Sequence, residues 1–406
     1  MPSHIVSDHT SISGTHAGKL HVCILDGDGQ VCTSNYPLGN NKDLPLPDVI
    51  RLAYGVTPHP DMPDAIYNRM ERRIQTEAGA AGFYLCQTSE GHNFWISVNF
   101  YNSKNGRAVC HFAVSSPVVK EFADFFSNIK SAEHTTKGPQ DQPPRTADQI
   151  QADISKYRTL AVTVMSEELT KRTKDRDCHH HNGFISLHSI LSALVQIDDY
   201  AKRIDGMSAR SKLIPYQLKL QAARLEGGRG PFGVIASNHQ ELTQSLLGIT
   251  EELRGASSSE IDAVMDAMAY LAQSTLAAEL IETDQVDNCI GDIDAESTLG
   301  ELEYLIADCG QQILTLLARV DRSILKLAAI CHRMRRSLSA METTRMMCKI
   351  ERSRLNDGAE GLMDIEDQLH QVHADLLKWM TKIEREADSA LQMAQDMKDA
   401  RKQKAA

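Results

Sequence analysis

After Pro231 the chain continues to Ala406 without another proline, and this 175-residue stretch is the strongest constraint on what it can fold into. Proline lacks an N–H and its ring clashes with the preceding helical turn, so its absence over such a length permits long unbroken helices. Large rings are scarce in the same part of the chain. Residues 1–146 hold 13 of the 21 aromatic residues and residues 147–406 hold 8. A thin helical rod has little interior to fill with rings, whereas a small sheet has more. The expectation is an α+β domain first and an all-α remainder.

The remainder carries a sustained apolar period. Leu187, Ile190, Leu194, Ile197, Ala201 and Ile204 alternate steps of three and four, the seam of a coiled coil. The same steps continue through 299, 302, 306, 309, 313, 316, 320, 323, 327, 330, 334, 337 and 341, where only Ser323 and Ser337 are polar. Beyond Leu362 they resume at Ile365, Leu369, Val372, Leu376, Trp379 and Ile383. Breaks at 227–231, 291–298 and 356–361 leave segments 185–226, 232–290, 299–355 and 362–402, in the order short, long, long, short. At a rise of 1.5 Å per residue the long pair reaches roughly 85–90 Å and the short pair roughly 60 Å. Two antiparallel hairpins within one chain, with tips near 227–231 and 356–361, would give that order. An internal repeat points the same way: Lys219–Gly228 aligns with Lys349–Gly358 at an offset of 130, and Ile235, Leu246 and Leu247 then align with Ile365, Leu376 and Leu377.

Residues 18–130 read as a small sheet with helices, following a flexible stretch 1–17. Leu20–Leu25 and Val31–Thr33 flank the turn Asp26-Gly27-Asp28-Gly29, a hairpin pattern. Phe83–Gln87, Phe94–Phe100 and Ala108–Ser115 form a three-strand meander, which makes five antiparallel strands in all. Helices are predicted near Asp48–Ala53 and Asp64–Glu77, the second started by Asp61 and Pro63. A proline-rich linker, 131–146, contains Lys137-Gly138-Pro139 and Pro143-Pro144. A connecting helix and polar break occupy 147–184, and the bundle occupies 185–402. The break contains Cys178-His179-His180-His181, zinc-ligand types whose neighbours on a helix point about 100° apart, so a solvated joint is expected rather than a metal site.

A net charge of −11 with scattered basic residues leaves no footprint for a nucleic acid. Nine cysteines, an odd number with no CxxC pair, favour free thiols in a reducing cytoplasm. No apolar run is long enough to span a bilayer, and the polar start has no signal-peptide core. The Asp26–Gly29 run lacks the later bidentate glutamate of a calcium loop. No nucleophile elbow, P-loop, HExxH or kinase signature is present, so an enzyme is not expected. Glu167-Glu168, Glu251-Glu252 and Gln311-Gln312 are of the residue types that receptors methylate.

The order strand, strand, helices, three strands, together with His59-Pro60-Asp61-Met62-Pro63 and Phe94-Trp95, resembles a PAS domain of the aerotaxis-receptor type over residues 18–120. The resemblance implies a pocket for FAD, or less readily heme, with His59, Asp61 and Trp95 beside it. Heme would need an axial ligand, and His21, His92 and His111 are all in or near strands, with no spacing that singles one out.

The segment from Gln221 to Ala236 resembles the hairpin tip of methyl-accepting chemotaxis receptors through Ala222, Ala223, Arg224, Phe232, Val234 and Ala236. In that family the tip docks a histidine kinase and its coupling protein. The resemblance implies partner contact at Arg224, Phe232 and Val234, with self-association as a further possibility. The expectation is a cytoplasmic chemoreceptor-like transducer. The alternative is a cofactor-free PAS scaffold whose bundle binds proteins outside chemotaxis.

Overall fold

The structure is a computed structural model that describes residues 20–25, 31–35, 56–64, 66–68, 79–91, 93–102, 107–114, 125–126, 129–130, 147–174, 179–226, 230–283, 290–291, 295–354 and 360–405. The helix expected at 48–53 lies outside them, and of the one expected at 64–77 only the first turn lies within.

The strands are β1 (Leu20–Leu25), β2 (Val31–Ser34), β3 (Val56–Pro58), β4 (Gly79–Thr88), β5 (Asn93–Asn102), β6 (Arg107–Ala113) and β7 (Ile290–Gly291). They form one antiparallel sheet in the order β3-β4-β5-β6-β1-β2-β7. The hairpin β1–β2 is thus closed onto the last strand of the meander β4–β6. The sequence led us to expect five strands, and β3 and β7 are additional. Both are two- or three-residue edge strands, too short for an alternating pattern, and Pro58 ends β3 where an edge tolerates a missing N–H.

Strand alternation assigns the two faces. Register places Leu85 opposite Trp95, and Ser97 opposite both Phe83 and Phe112, so these share one face. Tyr84 opposite Ile96, and His21 and Val98 opposite His111, define the other.

The helices are α1 (Ala147–Lys174), α2 (His179–Ser211), α3 (Leu213–Glu226), α4 (Pro231–Glu282), α5 (Ala295–Arg354) and α6 (Glu360–Ala405). The polar break lies between Lys174 and His179, and the side chains of Cys178, His179, His180 and His181 are outside the described residues. The turn at Lys212 has a local cause. Pro215 has no N–H to donate to the Ser211 carbonyl, so α2 ends there and α3 begins. Pro231 opens α4 at its first position, where the missing N–H costs nothing.

The chain divides into two compact units. The first comprises Met1–His188 and Met265–Thr315. In it α1 packs on the Trp95 face, with the Ser97 hydroxyl 3.7 Å from the Met165 sulfur and the Arg172 guanidinium 4.9 Å from the Phe112 ring centre. Arg172 also makes a two-pronged pair with Glu279 of α4, at 3.1 and 2.5 Å, and both side chains are about nine-tenths buried.

The second unit comprises Ser189–Val264 and Leu316–Ala406. Its ion pairs show which helices are neighbours. Asp205 of α2 meets Arg254 of α4. Glu260 and Glu252 of α4 meet Arg319 and Arg333 of α5. Asp321 and Arg335 of α5 meet Lys398 and Glu384 of α6. In the last two sets one number rises as its partner falls, so those helices are antiparallel. Tyr200 of α2 stacks on Trp379 of α6 at 5.5 Å and closes the ring. One chain therefore supplies all four helices of a bundle.

Much of the expected seam fills its interior. Ile190, Leu194, Ile197, Ala201 and Ile204 are fully buried, as are Leu327 and Ile383. The register slips by one in places along α5 and α6: Leu305, Leu317, Ile324 and Met380 are buried where Ile306, Leu316, Ser323 and Trp379 were expected, and Ile306, Leu316, Ser323, Trp379 and Val372 are only half-buried. Burial also repeats at the offset of 130. Ile190 and Val320, Ile197 and Leu327, Leu218 and Cys348, Phe232 and Leu362, Ile235 and Ile365, Leu246 and Leu376, and Leu253 and Ile383 are all buried. Each buried Leu, Ile or Phe side chain contributes about 1.5–3 kcal/mol relative to exposure. Two buried hydroxyls in these helices bond back to their own helix: Thr250 donates to the Leu246 carbonyl at 2.8 Å, and Ser211 donates to the Ser208 carbonyl at 2.8 Å.

Candidate functional site

The turn after β3 is built around His59. Its backbone N–H donates to the Leu85 carbonyl at 3.0 Å, and its carbonyl accepts the Met62 N–H at 2.9 Å. Its ring Nδ1 accepts the Asp61 N–H at 3.0 Å, and the Asp61 carboxylate lies 3.8 Å from the same nitrogen. Nδ1 is thus an acceptor, which places the proton of the neutral ring on Nε2. Lys130 ties the turn from outside by donating to the Met62 carbonyl at 3.1 Å and to Asp64 at 3.3 Å. A helical turn follows, and its Tyr67 meets the edge of Tyr84 at 5.7 Å. That contact puts this turn on the sheet face of His21 and His111.

The two histidines on that face stack at 5.4 Å. Burial, with His21 alongside, lowers the His111 pKa to about 3, so it is a neutral ring at ordinary pH. Trp95 lies on the opposite face. It is buried against Phe126 at 5.1 Å, and its carbonyl accepts the Val114 N–H at 3.0 Å. The structure therefore brings His59 and Asp61 together and separates Trp95 from the Tyr67–Tyr84 face. That face carries the buried polar rings of His21, Tyr84 and His111. The signal for them is a polar aromatic at inward positions of otherwise apolar strands. Among the described residues no three His, Cys, Asp or Glu side chains group to hold a metal ion.

At the first tip, Arg224 is exposed in the last turn of α3, where a cation complements the carbonyl end of the helix. Val234 is 60% exposed. Phe232 points inward and is 1% exposed, in a core shared by Leu218, Ala222 and Ile235 with Cys348, Leu362, Ile365 and Leu369. The resemblance implied partner contact at all three, and the structure presents two to solvent and gives Phe232 to packing. Both tips contribute to this core. They also touch, since a Cβ at Gly361 would come within 2.5 Å of the Gln221 amide nitrogen.

Val234 aside, sequence reasoning missed the apolar side chains exposed beside the tips. Leu213, Tyr216, Leu220 and Val234 flank the first, and Met346, Met347, Ile350 and Met363 flank the second, each 44% exposed or more. Tyr216 and Met346, and Leu220 and Ile350, are equivalent positions at the offset of 130. That repeat, applied off the seam, would have found them.

Compared with known proteins, the chain matches no family model, no curated sequence and no solved structure. No helix among the described residues is long and apolar enough to cross a membrane.

Proposed function

We propose that the chain is a receptor-like signal transducer. A PAS-type sheet senses redox state, oxygen or an internal ligand, and a degenerate chemotaxis-receptor bundle passes the change to a histidine kinase or coupling protein at the tips. One observation carries this reading. The tip segment that resembles the receptor motif is flanked by exposed apolar side chains, and two of these, Tyr216 and Leu220, have exposed apolar counterparts, Met346 and Ile350, on the second hairpin. Exposed apolar side chains gathered at one place on a molecule mark an interaction surface. The closed hairpin-and-meander sheet supports the sensor half, and the His21, Tyr84 and His111 face is where a flavin or another small ligand would lie.

Pull-down of a chemotaxis coupling protein by the purified full chain tests the output. Retention is expected, and no retention at micromolar concentrations withdraws the chemotaxis reading. The packing of Trp95 on Phe126, away from the His59 turn, favours a second reading, a cofactor-free scaffold. Absorbance of the purified protein between 350 and 500 nm separates the two: a flavin or heme band supports sensing, and a colourless protein supports the scaffold.

A further inference from the structure

The segment that joins α4 to α5 is also a strand of the sheet. Within the first unit, β7 pairs with β2 at the outer edge, Ile290 opposite Ser34 and Gly291 opposite Thr33. The other side of β2 is fastened to β1 by Asn35, whose side-chain oxygen accepts the Val22 N–H at 2.9 Å and whose amide donates to the Leu20 carbonyl at 3.0 Å. A shift of β1 is therefore carried to β2, and from β2 to the connection between the hairpins. A second fastening reaches α4 from the sheet face: Arg172 lies over Phe112 of β6 and holds Glu279 in α4. Removing either member of such a pair would leave a buried charge uncompensated, so this contact does not loosen gradually. The first fastening acts on the connection between α4 and α5 and the second on the end of α4, and these helices run unbroken from here to Pro231 and Arg354 at the tips.

We propose that β7 is a regulatory strap: the sheet controls the hairpins by holding or releasing the α4–α5 connection through β2–β7 pairing, with the Arg172–Glu279 pair as the second hold. The strap, as well as the covalent linker before α1, is a route by which a change in the sheet biases helix packing. The inference rests on reading the sheet as the sensor, and its test uses neither cofactor nor partner, so the two readings can fail separately.

The test is a Ser34→Cys/Ile290→Cys double variant of the full chain, oxidised and then reduced, with amide hydrogen exchange followed in 213–236 and 346–369. The bond is expected to form, since the two positions pair directly across the strands. The oxidised form is expected to exchange more slowly at both tips by about fivefold or more, the lower end of ordinary coupling between sites. Glu279→Gln, with no cysteine introduced, is expected to speed exchange at the same segments. Failure of the bond to form, or changes confined to residues 20–35 and 265–300 with the tips unaltered in both variants, overturns the proposal.

Discussion

Phe232 and Leu362 stand 130 residues apart in sequence and fill one core, each the first large apolar residue of the helix that leaves its tip. The shared core makes the tips a single packed body, and the two side chains are coupled. Phe232→Ala is expected to cost about 3–5 kcal/mol and Leu362→Ala about 2–5 kcal/mol. The double variant should depart from the sum by more than about 0.5 kcal/mol, as neighbours do. Urea denaturation of the four proteins, read by circular dichroism, checks both statements. Additive losses would mean that the tips do not share a core.

His239 gives the bundle a pH dependence. It occupies a buried seam position whose counterpart is Leu369, its Nδ1 lies 3.3 Å from the Thr243 hydroxyl, and burial lowers its pKa to about 4. The folded state holds the neutral ring, so its contribution to stability is complete above the unfolded value of about 6.5 and is lost as pH falls toward about 4. From pH 7 to pH 5 this site alone should remove about 2 kcal/mol. His239→Leu is expected to flatten that part of the curve. His111, lowered to about 3 for the same reason, keeps a similar slope in the sheet. Denaturation midpoints at pH 7, 6 and 5 for the parent and His239→Leu read the difference.

The thiols should be unreactive in the folded protein. Cys23, Cys86, Cys309, Cys331 and Cys348 are free and buried, and Cys110 is buried. Desolvation pushes Cys86, Cys309 and Cys331 up to about 12 and Cys348 up to about 11, leaving almost no thiolate at neutral pH. Alkylation at pH 7.5 followed by mass mapping should label these six only after denaturant is added. Fast labelling of any of them in the native protein would show that its surroundings open.

The exposed apolar positions at the tips should separate stability from binding. Tyr216→Ser and Ile350→Ser lie outside the core and are expected to change unfolding free energy by no more than about 0.5 kcal/mol. If the tips dock a partner, the same variants should lose retention in the coupling-protein pull-down. Unchanged retention in the double variant would move the docking surface elsewhere.

How much the sequence disclosed follows from the length over which each pattern repeats. The seam was legible because its period runs for dozens of residues, and its positions from Ile190 to Ile204 are the ones the structure buries. The hairpin β1–β2 and the meander were legible because each strand is long enough to show β-branched and aromatic enrichment. Edge strands β3 and β7 were not, since two or three residues carry no period and owe their form to the strand beside them. At the candidate sites, a motif specifies which residues stand together in sequence and leaves open which way they face. His59 and Asp61 form one turn as adjacency suggests, whereas the facing of Trp95 depends on the register of β5 with β4 and β6. The same holds for Phe232, whose inward turn depends on a second tip that local sequence does not reveal.

A bundle assembled from two identical chains must accept every substitution twice, once on each side of its axis. A chain that carries both hairpins is released from that requirement. Ala222 faces the common core while its counterpart Arg352 pairs with Glu366, and His239 titrates where its counterpart Leu369 cannot. Each half can specialise alone, so one flank of this bundle is able to acquire a property without imposing it on the other.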